Sequence, residues 1–189
     1  MKLLEQRILT DGVVKPGGVL KVDNFLNHQI DPMLLYEMAK ELKELYAGCG
    51  VNKIVTIEAS GIAIAALAGL VFECPLVFAK KSKTKNISDN LYSTEVESFT
   101  HGNTNSVVIS KEYLHSGDKV LIVDDFLATG AALNGLIDLC RQAGAEVVGC
   151  GIAIEKAFQG GGNELRAKGI RVESLAKIAQ MTDDSISFE

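Results

Sequence analysis

The hydrophobic positions along the chain change period several times, and each change marks an element. Leu34, Leu35, Met38, Leu42 and Leu45 recur every three or four residues after Asp31-Pro32, a pair suited to a helix cap and first turn, and the pattern stops at Gly48 and Gly50. An amphipathic helix is predicted there. Lys53-Ile54-Val55-Thr56-Ile57 is a short β-branched run, followed by the polar turn Glu58-Ala59-Ser60-Gly61 and an Ala/Leu-rich helical stretch over 62–72. Residues 76–79, 107–109 and 120–123 read as further strands. The stretch 130–143 reads as a helix closed by Gly144, and 147–154 as another strand. Several of these strands are continuous apolar runs rather than alternating ones, the pattern of strands buried on both faces. The predicted class is therefore α/β, a mostly parallel central sheet flanked by helices.

Two regions break the rhythm. Residues 80–105 form a long polar stretch that opens with Lys80, Lys81, Lys83 and Lys85, longer than an ordinary connection inside a compact domain. It is predicted as a flexible loop. The segment before Asp31 and the tail after Lys156 are the other exception, since Gly160-Gly161-Gly162 interrupts the pattern and the strand-like pieces beyond are weak. We expect one domain over 1–189, with a small hood over the sheet from about 1–30 and 156–189.

The segment with the clearest chemistry is Val120-Leu121-Ile122-Val123-Asp124-Asp125-Phe126-Leu127-Ala128-Thr129-Gly130-Ala131-Ala132, a buried strand ending in two acids before a small-residue turn into a helix. Open α/β sheets bind ligands at the carboxyl ends of their strands. Backbone N–H groups of Ala128, Thr129, Gly130, Ala131 and Ala132 can close on a phosphate, with the Thr129 hydroxyl as an extra donor and the helix dipole favouring the anion. Asp124 and Asp125 can accept hydrogen bonds from vicinal hydroxyls, so a ribose carrying a 5'-phosphate matches the whole segment. The turn Glu58-Ala59-Ser60-Gly61 is a second place where amides could converge on an anion, or an ordinary strand-to-helix turn with Ser60 as its cap.

Composition narrows the partners. A net charge of -5 over 189 residues gives no basic field for nucleic acid, and no apolar run approaches the roughly 20 residues that span a bilayer. The start, Met1-Lys2-Leu3-Leu4-Glu5-Gln6-Arg7, lacks the apolar core of a signal peptide, so a cytoplasmic protein is expected. Cys49, Cys74, Cys140 and Cys150 are scattered and read as reduced thiols, and His28, His101 and His115 as incidental polar residues.

The segment 120–132 resembles the phosphoribosyl pyrophosphate (PRPP) signature of type I phosphoribosyltransferases. Leu20 through Pro32, Ile57 through Ala63, and Ile154-Glu155-Lys156-Ala157-Phe158-Gln159 extend the likeness over essentially the whole chain, to the bacterial xanthine phosphoribosyltransferase family. The resemblance implies the type I phosphoribosyltransferase fold and transfer of phosphoribose from PRPP to xanthine in purine salvage. It implies PRPP contacts at 128–132 and at the turn Glu58, Ala59, Ser60 and Gly61, ribose and leaving-group chemistry at Asp124, Asp125 and Lys81, and xanthine contacts at Leu20, Asn27 and Lys156. It further implies a loop from about 80 that closes over PRPP, Mg²⁺ carried by the pyrophosphate, and a homodimer. By their residue types alone, Asn27 reads as a turn residue and Lys156 as a solvent-facing lysine.

One departure bears on mechanism. Hypoxanthine-guanine relatives often carry Asp where this chain has Ala128, so no side-chain base toward the purine is expected, and positioning with electrostatics should dominate. A regulator sensing PRPP would need a DNA-binding module, which the sequence does not suggest. Adenine or guanine remains the alternative base.

Overall fold

The computed structural model describes residues 1–82, 90–97, 104–182 and 185–189. Helix α1 (Lys2–Asp11) buries Leu4 and Ile8, and the chain's amino group bonds the Leu175 carbonyl, which fastens the N-terminus to the far end of the chain. A small antiparallel hairpin follows, β1 (Val13–Lys15) and β2 (Val19–Lys21), with Val14 opposite Leu20. Asp23–Asn27 forms a π-helical turn that buries Phe25 and Leu26. Helix α2 (Pro32–Leu45) starts where the sequence predicts: the Leu34 N–H donates to the Asp31 carboxylate at 3.2 Å, with Pro32 in the first turn.

The central sheet is assembled from β3 (Lys53–Ile57), β4 (Leu76–Ser82), β5 (Leu91–Glu97), β6 (Thr104–Ser110), β7 (Lys119–Leu127), β8 (Glu146–Lys156), β9 (Val172–Met181) and β10 (Ile186–Phe188), in the spatial order β10-β9-β8-β7-β3-β4-β6-β5. The five strands from β9 to β4 are mutually parallel, and the outer strands pair antiparallel. Helix α3 (Gly61–Phe72) connects β3 to β4, α4 (Ala131–Ala143) connects β7 to β8, and the short α5 (Gly161–Ala167) lies between β8 and β9.

Both faces of the sheet are covered. Leu121 and Val123 of β7 pack with α1, α2 and α3, while Val120 and Ile122 pack with α4 and the β5–β6 hairpin. Alternate residues of one strand enter two cores, so its sequence reads as an unbroken apolar run. The order of the parallel strands places β3 between β4 and β7, so the connections leaving β3 and β7 diverge. That is the topological switch point at which open α/β sheets bind ligands.

Three expectations are corrected. Residues 80–105 are not one flexible loop: Lys80 and Lys81 continue β4, and β5 and β6 form a hairpin on the sheet edge. The alternation Tyr92, Thr94, Val96 is interspersed with Ser and Glu and reads as polar until tertiary pairing uses it. Lys83, Lys85 and residues 98–103 lie outside the described residues. The tail does not stand wholly apart from the sheet either, because β9 pairs in parallel with β8 from Cys150↔Val172 to Lys156↔Ile178. Finally, β7 runs through both acids to Leu127 rather than ending before them. Among the described residues no helix is long and apolar enough to cross a membrane.

Candidate active site

A cleft opens at the carboxyl ends of β3 and β7. Glu58 and Ser60 line one wall, Asp124 through Leu133 the other, and Lys81 reaches in from the end of β4. The parallel register Ile54↔Leu121 and Val55↔Ile122 brings the two strand ends together, although 66 positions separate Glu58 from Asp124 in the sequence.

On the β7 side, Gly130 takes φ of +84°, a left-handed conformation that glycine adopts without steric cost, and so turns the chain into α4. Asn134 in the first turn returns both its backbone N–H and its side-chain amide to the Gly130 carbonyl, each at 2.9 Å. The first residues of α4, Ala131 to Leu133, line the cleft at the positive end of the helix dipole. Thr129 sits at this turn, as the sequence suggests.

Asp124 and Asp125 are buried, 4% and 8% exposed, and the Asp125 N–H donates to Asp124 Oδ1 at 3.0 Å. Burial, reinforced by the neighbouring Asp125 carboxylate, pushes the Asp124 carboxyl well above its usual range, with Lys81 pulling it back. Asp124 is thus held against its own charge, beside a second buried carboxylate, where a ligand can bring hydroxyl donors.

On the β3 side, the Glu58 carboxylate accepts the Lys81 N–H at 2.6 Å and ties the turn to β4. The Glu58–Ala59 peptide is cis. Ala59 does not line the cleft, and its carbonyl accepts the Ile62 N–H at 3.2 Å. Ser60 occupies the cap position of α3, but its side chain makes no capping hydrogen bond. A β-carbon on Gly61 would lie 2.3 Å from Thr56 Oγ1 and 2.7 Å from Asp124 Oδ1, so only glycine lets α3 start this close to Asp124. Thr56 was invisible to sequence reasoning. Its hydroxyl is fully buried beside the Asp124 carboxylate and has no hydrogen-bond partner among the described residues, but in the sequence it is one more β-branched strand residue.

These features match a known domain: the phosphoribosyl transferase domain family covers residues 21–173. The chain is 56% identical to a xanthine phosphoribosyltransferase of Finegoldia magna over the full length of both, and 51% identical to that of Ligilactobacillus salivarius over all of this chain and 98% of the other. The chain belongs to the xanthine phosphoribosyltransferase family. Among solved phosphoribosyltransferases, the fold is similar to APRTase from Giardia lamblia (TM-score 0.79, 20% identity, covering 94% of this chain and 98% of that one). It is also similar to an adenine phosphoribosyltransferase from Rhodothermus marinus (TM-score 0.76, 25% identity, covering 94% and 97%).

None of the residues that the family resemblance suggests for the base lines this cleft. Lys156 ends β8 half-buried. Its ammonium donates to the Gly18 carbonyl at 3.0 Å and lies 5.7 Å from the centre of the Phe126 ring, which itself lines the cleft. Burial lowers its pKa. It is therefore not a solvent-facing lysine, but a tie between the end of the sheet and the β1–β2 turn. Leu20 is buried in β2 of the same hairpin. Asn27 ends the π-helical turn with its Oδ1 buried and unpartnered among the described residues, as is Oε1 of Gln159, a residue sequence reasoning left without a role. Buried amide oxygens without partners are uncommon and mark places where a ligand can supply the missing donor.

Proposed function

We propose that the protein transfers the 5-phosphoribosyl group of PRPP to xanthine, yielding xanthosine 5'-monophosphate and diphosphate. The observation that carries phosphoribosyl transfer is the convergence of the paired acids, the 128–132 turn, the Glu58 turn and Lys81 on one cleft. Xanthine as the base rests on the full-length relatives of that activity.

In this reading the N–H groups of 128–132 receive the 5'-phosphate, and Asp124 and Asp125 accept hydrogen bonds from the two ribose hydroxyls. Glu58 and Ser60 face the diphosphate with Lys81, and Ala59 and Gly61 shape the turn that presents them. Leu20 packs on the purine, Asn27 meets the C2 carbonyl and Lys156 the C6 oxygen. An amide can rotate to offer either its N–H or its oxygen, so Asn27 suits a xanthine edge that carries both a carbonyl and ring N–H groups. The C1–oxygen bond to diphosphate breaks as the C1–N9 bond forms on the opposite face, and the purine proton passes to water, since position 128 carries only a methyl group. Rate enhancement then comes from orientation and from fixed dipoles at the developing charges.

Magnesium fits the cleft. The ion is carried by the diphosphate of PRPP, since Mg²⁺ favours substrate phosphates with few protein ligands, and the buried carboxylates of Asp124 and Asp125 lie in the same cleft. When bound, the ion neutralises charge on the leaving diphosphate. We further propose a cytoplasmic homodimer with a hood from about 1–30 and 156–189. The apolar outer face of α3, where Leu70 is 65% exposed, and the neighbouring Phe78 at 38% support a dimer.

Incubating the protein with PRPP, Mg²⁺ and each of xanthine, hypoxanthine, guanine and adenine, and following nucleotide formation, tests the proposal. Xanthine is expected to react with the highest kcat/KM. A preference for adenine or guanine overturns the base assignment, and no nucleotide from any base overturns phosphoribosyl transfer.

A further inference from the structure

The glycine run 160–162 looks in the sequence like an interruption, but in the structure it is a contact. The Gly161 N–H donates to the Ala128 carbonyl at 3.2 Å. A β-carbon on Gly161 would lie 2.4 Å from that carbonyl oxygen, 2.4 Å from the Thr129 carbonyl carbon and 2.6 Å from the Gly130 nitrogen. All three are main-chain atoms, which cannot swing aside as a side chain would. Unlike Gly160, whose φ is +83°, Gly161 is not in the left-handed region, so space rather than backbone conformation requires glycine here.

The next residue meets a second partner. A β-carbon on Gly162 would lie 2.0 Å from Glu155 Oε1. Glu155 is 1% exposed at the end of β8, and Arg166 of α5 grips it with two hydrogen bonds, Nη1 to Oε1 at 2.9 Å and Nη2 to Oε2 at 2.8 Å. The Ser174 hydroxyl from β9 donates to Oε2, and Arg166 also donates to the Val172 carbonyl at 3.1 Å. Burial pushes the Glu155 carboxyl upward, but the Arg166 and Ser174 hydrogen bonds outweigh it and hold the pKa below its usual value. The start of α5 is thus pressed between the 128–130 turn and a buried, fully bonded carboxylate. Neither Glu155, Gly161 nor Arg166 lines the cleft.

We infer that the glycine-rich start of α5 is a backbone clamp that holds the 128–130 turn in its phosphate-receiving shape, with the Glu155–Arg166 pair locking the clamp. The inference rests on reading 128–132 as the 5'-phosphate turn. These are positioning residues. A buried ion pair is an inefficient source of stability compared with apolar packing, but two bidentate bonds fix an orientation, and amides aimed at a phosphate lose their advantage when they drift by a fraction of an ångström. The clamp meets the cleft wall on the phosphate side, where the Gly161 N–H bonds the Ala128 carbonyl.

The test compares wild type with Gly161→Ala, Glu155→Gln and Arg166→Lys. Three quantities are measured: calorimetric affinity for ribose 5-phosphate, separate KM values for PRPP and xanthine, and Tm. Gly161→Ala is expected to weaken ribose 5-phosphate binding and raise the PRPP KM by about tenfold or more, the loss that a misaligned site typically shows. The xanthine KM should stay within about twofold of wild type. Glu155→Gln should show the same selective shift at a smaller size, and Arg166→Lys, which keeps the charge, should retain more affinity than Glu155→Gln. A folded Gly161→Ala protein with wild-type ribose 5-phosphate affinity overturns the clamp, as does an equal rise in both KM values. If Gly161→Ala does not fold, Glu155→Gln decides by the same readouts. Failure of the wild type to bind ribose 5-phosphate at all overturns the phosphate-turn reading, and the clamp falls with it.

Discussion

The groups assigned to the phosphoribosyl half come largely from one run of chain, 124–132, whereas those assigned to the base come from two distant stretches, Leu20 to Asn27 and Lys156. The first half is built largely by local structure: a strand, a left-handed glycine and a helix start set its amides, and the start of α5 braces them from outside. The second half is held by long-range contacts, chiefly the Lys156 hydrogen bond to Gly18, which spans 138 residues of sequence. A contiguous site is rigid and suits the invariant part of the reaction, while a site assembled across the fold can change its base preference by small shifts in one segment.

The comparison breaks most sharply at the acids. Replacing Asp124 and Asp125 together with Ala should lower kcat/KM by about 10³-fold or more, on the order of 4 kcal/mol of transition-state binding, and equally for every base. Circular dichroism should show an intact fold. A folded double variant with near wild-type turnover would refute their role at the ribose.

Asn27→Ala probes the other half. It should reduce kcat/KM for xanthine by about 1 to 3 kcal/mol, the cost of leaving a buried polar group unpaired, and should affect hypoxanthine, which lacks the C2 oxygen, much less. An equal loss on both bases would dissociate Asn27 from the C2 carbonyl. Lys156→Met keeps most of the aliphatic stem over Phe126 while removing the bond to Gly18. We expect a rise of about fivefold in the xanthine KM with the PRPP KM nearly unchanged, in line with about 1 kcal/mol for a single hydrogen bond. Parallel changes in both constants would erase the proposed division between the halves.

The smallest effect is on stability. The folded state holds Asp124 protonated above the pH at which an unfolded Asp ionises. Between those two points the native state binds more protons than the unfolded chain, so stability falls as pH rises and levels off once the folded carboxyl has ionised. Without ligand, Asp124→Asn should therefore flatten the decline in Tm that begins above the pH at which an unfolded Asp ionises and raise Tm at the upper end, even as activity is lost. A decline as steep as that of the wild type would place the pH dependence elsewhere.

Much of this architecture could be read from the sequence where the signal was local. The cap at Asp31, the helix closed by Gly144 and the acids leading into a small-residue turn each follow from a few adjacent residues, and the structure has them there. Residues 107–109 read as a strand and lie in β6, but β5 and β9 do not declare themselves, for the opposite reason. Glu95 is a polar residue in an edge strand, and Lys177 and Gln180 interrupt the apolar pattern of β9, so neither segment has a periodicity strong enough to declare itself before its neighbours are in place. At the candidate site, the sequence supplied the residues of 124–132 and the turn at Glu58, but the roles of Thr56, Glu155 and the glycine run were hidden.

By itself, then, the sequence determined an α/β chain with a small-residue turn after a buried strand that carries two acids, because period, capping and turn chemistry act over a few residues. Only the tertiary structure decided that Glu58 faces Asp124, that Lys156 ties the sheet to the hairpin, and that Gly161 presses on Ala128. Those contacts arise from strand order and from backbone approaches that only glycine permits, and they join residues whose separation in the chain gives no local signal of their meeting.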